Sequence, residues 1–255
     1  MWKIAKYTLY DIVRNKIVLF YAVFLLVISI SLFMLDGDPS RSISSLMSVV
    51  LIIVPLISMI FPTIFLYNNY EFIELLATQP VKRMHILLAN YTGVAGSLTF
   101  AYTAGVAIPV LIYAPGATGA TLVVTGTALT LIFTSLSFLV TMTTRDKARG
   151  IGMALLLWFF FSIVYDGLII AFLFFFSDYP LERPVLFISS LNPVDLARIC
   201  ILLKMDISAL MGYTSAVYKD FFGRGTGILY TSAVMLVWII VPLAWSLRMF
   251  KRKDL

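Results

Sequence analysis

Apolar residues in this chain gather into long unbroken blocks. They neither alternate, as in a half-buried strand, nor recur at every third or fourth position, as in a surface helix. Residues 17–35, 42–70 and 225–247 contain no Asp, Glu, Lys, Arg or His. The stretch 86–144 is likewise free of all five over its 59 residues. About 20 apolar residues suffice for a helix to cross the hydrocarbon of a bilayer. The 59-residue stretch is therefore two crossings, divided by Ala-Pro-Gly-Ala-Thr-Gly-Ala at 114–120, whose Pro and Gly mark a turn. Residues 150–177 carry a single charge, Asp166. The pattern predicts six transmembrane helices, over 17–35, 42–67, 86–113, 120–143, 152–177 and 226–247. Helices are required because each segment must satisfy its own backbone in lipid, and the runs are too long and too uniformly apolar for barrel strands. The fold class is all-α and polytopic, with the whole chain, 1–255, forming one transmembrane domain.

Composition agrees. Hydrophobic residues are 61% of the chain and charged residues 13%, and the mean hydropathy is +0.98. A soluble protein of this size has no interior large enough for that much apolar surface. A cleaved signal peptide is disfavoured at the first span, which ends in Met34-Leu35-Asp36 without a small-residue cleavage site. One cysteine, Cys200, permits no intrachain disulfide, and one histidine, His85, leaves little for metal or acid–base chemistry. There is no Gly-x-x-x-x-Gly-Lys-Ser/Thr loop, so this chain is not expected to bind ATP and its Mg²⁺ in that mode. We expect no cofactor, no resident metal, no catalytic residue and no enzymatic activity in this chain.

Charge sets the expected orientation. Lys and Arg number four in the tail 1–16, two in 68–85 (Lys82 and Arg83), three in 144–151 and four in the C-terminal tail. The opposite side has Arg41 and five more in 178–225. The positive-inside rule puts both termini in the cytoplasm of a bacterial inner membrane. The net charge of +6 is then a topology signal, with anionic lipid as its partner and no nucleic acid implied.

Residues 1–16 place Trp2, Ala5, Leu9, Ile12 and Val13 on one helical stripe, with Lys3, Lys6, Arg14 and Lys16 mostly elsewhere. This reads either as an interfacial helix or as a basic flank anchoring the first span. In the loop 68–85, Glu71 and Glu74 share a helix face, Phe72, Leu75 and Leu76 supply an apolar face, and Pro80 ends the helix. Acids at its start suit the macrodipole, and an amphipathic helix of this kind suits a partner's groove.

The run Asn69-Tyr70-Glu71-x-x-Glu74-Leu75-Leu76-Ala-Thr-Gln-Pro80-Val-x-Arg83 resembles the cytoplasmic coupling region of type-2 ABC (ABC-2) transporter permeases. That family has an amphipathic elbow helix, six spans and a long external segment between spans five and six, and the resemblance covers the whole chain. It implies that Tyr70, Glu71, Glu74, Leu75, Leu76, Pro80 and Arg83 couple the chain to an ATPase subunit present in two copies beneath a homodimer.

The external segment 178–225 balances five acids against five bases and is expected to carry short helices. Asn192 is a good N-cap, Pro193 a good first residue, and Asp195 and Arg198 can pair across one turn. The stretch Asn192-Pro193-x-Asp195-x-x-Arg198, followed by Asp206, Leu210, Gly212, Tyr213, Thr214, Ala216, Val217, Phe222 and Gly223, is similar to the permeases of nitrous oxide reductase maturation systems. That narrower resemblance implies that Asn192, Pro193, Asp195, Arg198, Asp206 and Tyr213 dock a periplasmic β-helical copper-handling protein. A copper chaperone lipoprotein is a further implied partner, and the work served is assembly of the copper–sulfur centre in denitrification.

Met205, Met211 and Cys200 are soft groups on this outer side. Thioether and thiolate suit Cu(I), but methionine also fills gaps in apolar packing, and no Met-x-x-Met cluster occurs. Asp166, near the centre of a span, costs about 2.5–3.5 kcal/mol on insertion scales and so must face the bundle, a dimer seam or water. Tyr165 and Ser162 are its expected local partners. The reading that results is a permease subunit coupling ATP hydrolysis elsewhere to copper delivery or sulfur export. The alternatives are an ABC-2 exporter of a drug or lipid, and a membrane-embedded lipid-modifying enzyme, for which the required cluster of Asp, His or Arg is missing.

Overall fold

The structure is a computed structural model and describes residues 2–13, 15–36, 38–79, 82–176, 188–205 and 225–252. Among these there is no strand. The helices are α1 (Trp2–Val13), α2 (Lys16–Asp36), α3 (Pro39–Asn68), α4 (Tyr70–Ala77), α5 (Arg83–Tyr102), α6 (Ile108–Tyr113), α7 (Ala117–Thr143), α8 (Lys147–Phe159), α9 (Tyr165–Phe175), α10 (Pro193–Lys204) and α11 (Gly225–Arg252). Five-residue π-turns, Thr103–Ala107 and Phe160–Val164, join α5 to α6 and α8 to α9. Each pair is therefore one continuous rod. Among the described residues six helical rods are long and apolar enough to cross a membrane.

These rods extend a few residues beyond the predicted spans, because a helix continues through the polar headgroup layer where charge and hydroxyls are tolerated. Asp38 starts α3 by accepting the amide of Ser40 at 3.0 Å, with Pro39 as first helical residue. Asp146 does the same for α8, accepting the amide of Arg149 at 3.1 Å. The turn predicted over 114–120 occupies only Ala114, Pro115 and Gly116, and α7 resumes at Ala117.

α7 is the axle of the bundle, packed against α3, α5, α10 and α11. Its sequence is rich in Thr, Ser and Gly, and Thr125, Thr130, Thr134, Ser135, Ser137 and Thr141 are all buried. In lipid, small residues at interfaces let helix backbones approach, and hydroxyls are satisfied locally or across the seam. Thr130 donates to Gly126 O at 2.9 Å, and Thr134 to Thr130 O at 2.7 Å. Across the seam, Ser137 meets Thr63 of α3 at 2.7 Å, and Tyr91 of α5 meets Ser135 at 3.0 Å. Gly126 lies under the ring of Tyr102, which is fully buried and donates to Leu122 O at 2.9 Å.

α1 packs along α5. A side chain at Gly93 would collide with Thr8, and Ser97 donates to Leu9 O at 3.4 Å. Among the described side chains of α1, Thr8 and Ile12 are buried and Val13 is half-buried, whereas Leu9 is 41% exposed. A small-residue face on α5 accepts Thr8. The side chains of Trp2 and Ala5 lie outside the described residues.

Candidate functional site

Two places carry the polar groups that packing alone does not require, one at each end of α3 and α7. The first is the α4 end. α3 stops at Asn68 and α4 begins two residues later, so that Asn69 alone joins them. Asn69 holds that corner, with its side-chain amide donating to Phe65 O at 2.9 Å. The exposed face of α4 consists of Glu71, Phe72, Glu74 and Leu75, while Ile73 is buried and Leu76 half-buried against the core. The predicted apolar face of Phe72, Leu75 and Leu76 is therefore split. Ile73 and Leu76 fasten the helix to the bundle, and Phe72 (54% exposed) and Leu75 (65% exposed) project outward beside the two carboxylates. Tyr70 is half-buried at the start of α4 and Arg83 opens α5. Pro80 lies outside the described residues.

The foot of α3 is bonded to the α7–α8 turn. The Tyr67 hydroxyl meets Thr144 Oγ1 at 2.5 Å and Thr144 O at 3.2 Å, and Lys147 Nζ donates to Asn68 Oδ1 at 2.8 Å. Gly150 allows the Tyr67 ring to lie directly on α8. Beside these contacts is a half-open cleft of about 540 Å³, walled by Tyr67, Tyr70 and Glu71 on one side and by Thr141, Thr144, Arg145 and Lys147 on the other.

The second place is the α10 end. Asn192 caps α10 by accepting the Val194 amide at 3.0 Å, and Pro193 follows it. The Asn192 amide nitrogen then reaches out of α10 to the Phe161 carbonyl at 2.8 Å and to Asp195 Oδ2 at 3.1 Å. Phe161 lies within the π-turn between α8 and α9. A π-turn breaks the regular i→i−4 ladder, and the carbonyl there takes its donor from another segment. Arg198 closes the arrangement: its Nη1 is 2.7 Å from Asp166 Oδ2 and 3.2 Å from Asp195 Oδ1. Tyr165 adds a third tie, donating to Ile188 O at 2.6 Å. α10 is thereby latched onto the fifth span by two polar contacts, with a third from the segment that leads into it, and is joined to α7 by Thr118 Oγ1 donating to Lys204 O at 2.9 Å. Val194, Leu196, Ala197 and Ile201 bury its apolar face.

Two expectations are corrected here. The partner of Asp166 is Arg198 rather than Tyr165 or Ser162; Tyr165 is bonded to Ile188, and Ser162 Oγ is buried with no hydrogen-bond partner. Pairing with a guanidinium supplies a full counter-charge, which neither hydroxyl offers. Asn192 and Asp195, 0% and 4% exposed, face the bundle and cannot meet an external protein in this arrangement. Pro193 is buried alongside them, and Arg198 is half-exposed. Asp206 and Tyr213, with Met211 and the rest of the predicted second short helix, lie outside the described residues.

Two carboxyls sharing one guanidinium cannot both ionise cheaply. Burial, together with the hydrogen bond and charge of Asp166, pushes the Asp195 carboxyl up to about 8, outweighing Arg198. Met205 is buried in the core and Cys200 is half-buried on α10, its thiol pushed up by burial. A raised thiol is a poorer metal ligand than a thiolate. Among the described residues no three of His, Cys, Asp and Glu come together.

Comparison with known proteins agrees with this architecture. Residues 52–255 match the family described as ABC-2 family transporter protein. The chain is 25% identical to the probable ABC transporter permease protein NosY of Stutzerimonas stutzeri, over 99% of this chain and 98% of that protein. It is 26% identical to the protein of the same description from Pseudomonas aeruginosa, over 83% of this chain and 85% of that one. Six apolar rods, no ATP-binding loop and this match over most of its length lead to one conclusion: the chain belongs to the ABC-2 transporter family, as a multi-pass permease subunit.

Proposed function

We propose that this permease works in a system that assembles the copper–sulfur centre of nitrous oxide reductase, transmitting the closure of partner ATPases to the far side of the membrane. The observation that carries the reading is the continuity of the path. α4 presents Glu71, Phe72, Glu74 and Leu75 outward and passes directly into α3. α3 is tied to the α7–α8 turn by Tyr67 and Lys147, runs beside α7 through Thr63 and Ser137, and α7 is tied to α10 by Thr118. α10 in turn holds the fifth span through Asn192 and Arg198. A push on α4 thus has a bonded route to α10.

In this proposal two copies of the chain sit in a bacterial inner membrane with α4 and both termini in the cytoplasm. Two ATPase subunits seat the α4 helices, and a periplasmic β-helical copper-handling protein engages the α10 end. The route moves rods rather than ions: apart from Asp166, the interiors of the spans carry no charge, which suits rigid-body motion. The likeness to the two NosY proteins, over 99% and 83% of this chain, and the Asn192-Pro193-x-Asp195-x-x-Arg198 run favour this cargo over a drug or lipid.

The test has two parts. Purification from native membranes should bring down an ATPase together with a β-helical periplasmic protein; an ATPase alone would favour an exporter of another cargo. Replacing Glu71 and Glu74 together by Lys should leave the chain folded, since both side chains are exposed. It should also abolish permease-stimulated ATP turnover. Undiminished turnover and assembly in that variant would refute the coupling role of α4.

A further inference from the structure

The cleft between α3, α4 and the α7–α8 turn contains a cation that the coupling path does not use. Asp146, the acid nearest Arg145 in sequence, is committed to the backbone amide of Arg149. Lys147 is held by the neutral Asn68. Among the described residues the exposed Arg145 guanidinium has no hydrogen bond or ion pair, and it stands at the cleft wall with the hydroxyls of Thr141 and Thr144.

Depth decides what such a site meets. α7 has 27 residues; at 1.5 Å per residue it is about 40 Å long, close to the ~40–45 Å of a bilayer measured through both headgroup layers. Its last turn, with Thr141 and Thr144, therefore sits among headgroups rather than out in the cytosol. Tyr67, at the foot of α3, is of the residue type that collects at this level. Basic pockets between helices at the cytoplasmic surface are suited to lipid phosphate, and Arg grips a phosphate through two parallel N–H donors. Glu71 on the opposite wall and Asp146 beside Tyr67 balance the charges of Arg145 and Lys147, so what the cleft offers is an uncommitted guanidinium facing a carboxylate rather than a net positive field. That arrangement suits a phosphodiester whose headgroup also donates hydrogen bonds.

We propose that this cleft binds one inner-leaflet phospholipid of the phosphatidylglycerol type, with its phosphate on Arg145 and its headgroup hydroxyls towards Glu71. Such a lipid wedges between α4 and the α7–α8 turn, so its occupancy sets how stiffly α4 is joined to the path. The proposal rests on the orientation given above, but lipid discs expose both leaflets equally, so the binding test does not depend on that orientation. Labelling of cysteines placed at the termini in intact cells tests the orientation separately.

The full chain is reconstituted in discs of phosphatidylcholine containing either phosphatidylglycerol or phosphatidylethanolamine, and lipid retained after transfer to detergent is counted by native mass spectrometry. We expect one phosphatidylglycerol retained per chain in preference to the other two lipids. Arg145→Gln should weaken retention roughly fivefold, the effect of one basic residue at a membrane surface. Arg252→Gln, removing an exposed charge at the end of α11, should leave it unchanged. Equal retention of all three lipids, or equal losses in the two variants, overturns the proposal. So does displacement of the lipid by inorganic phosphate, which would make this a site for a free anion. Loss of ATPase binding by Arg145→Gln in pure phosphatidylcholine also overturns it, by assigning the cleft to the protein partner.

Discussion

Asp195 shows how one carboxyl answers to two neighbours. Arg198 stabilises its charge, while burial and the nearby Asp166 penalise it, and the penalty is the larger. A carboxyl whose pKa is raised in the folded protein keeps a proton that the unfolded chain has already lost. Its stabilising contribution is complete below the ordinary value of 3.8 and is lost as pH rises through about 8. The melting temperature of the detergent-solubilised chain should therefore fall across that window, and Asp195→Asn, neutral at every pH, should flatten the fall. A variant as pH-sensitive as the parent would remove Asp195 from the explanation. Arg198→Gln leaves two carboxyls without their shared cation and should destabilise by about 1–3 kcal/mol, the usual cost of orphaning a partly buried charged partner. Asp166→Asn, which keeps a hydrogen-bond acceptor for Arg198, should cost less, and thermal unfolding of the two variants side by side checks the order.

At the scale of single elements, the helices followed from the block pattern of apolar residues, and what joins them did not. The length and charge-free character of 86–144 were enough to require two rods separated near Pro115. Nothing in the local sequence marks Thr103–Ala107 or Phe160–Val164 as π-turns, because such a turn is stabilised by what the neighbouring helix or segment offers. At the first, Gly105 lets α2 approach at Ala22 and Leu25; at the second, Asn192 supplies the donor for Phe161. Asn192 was legible as a cap but not as a latch, since its second role depends on a carbonyl 31 residues earlier. The same holds for α4, whose amphipathic pattern was plain while the choice of Ile73 rather than Phe72 as the buried residue was made by the bundle beneath it. The α5–α7 seam gives a sharp test. A Cβ at Gly126 would fall on the Tyr102 ring, which is fully buried and bonded to Leu122 O and so cannot swing away. Gly126→Ala should destabilise by about 1–3 kcal/mol, read as a lower melting temperature, whereas Gly152→Ala, where a side chain meets open space, should not.

For the whole molecule, the question is how a signal received at one end reaches the other. Packing of α7 on α3, α5, α10 and α11 makes a rigid centre, and hydroxyl contacts fix its register near the α4 end, through Thr144 and Ser137, and at the α10 end, through Thr118. Cutting the route at one end should separate binding from response: Asn192→Leu combined with Arg198→Leu removes both ties of α10 to the fifth span. Such a variant is expected to bind the partner ATPase normally and to lose stimulation of its turnover. Normal stimulation would show that α10 is driven without the latch. The sequence by itself determined that the chain carries six blocks long and apolar enough to cross a membrane and an amphipathic helix between the second and third, because hydropathy and periodicity are properties of the chain that need no neighbour. Only the tertiary structure decided that Asp166 answers to Arg198, that Asn192 and Asp195 face inward, and that Arg145 has no counter-ion among the described residues. Pairing between residues far apart in the chain is set by which helices pack side by side, and similar apolar blocks leave that choice open until small residues and hydroxyls fix the seams.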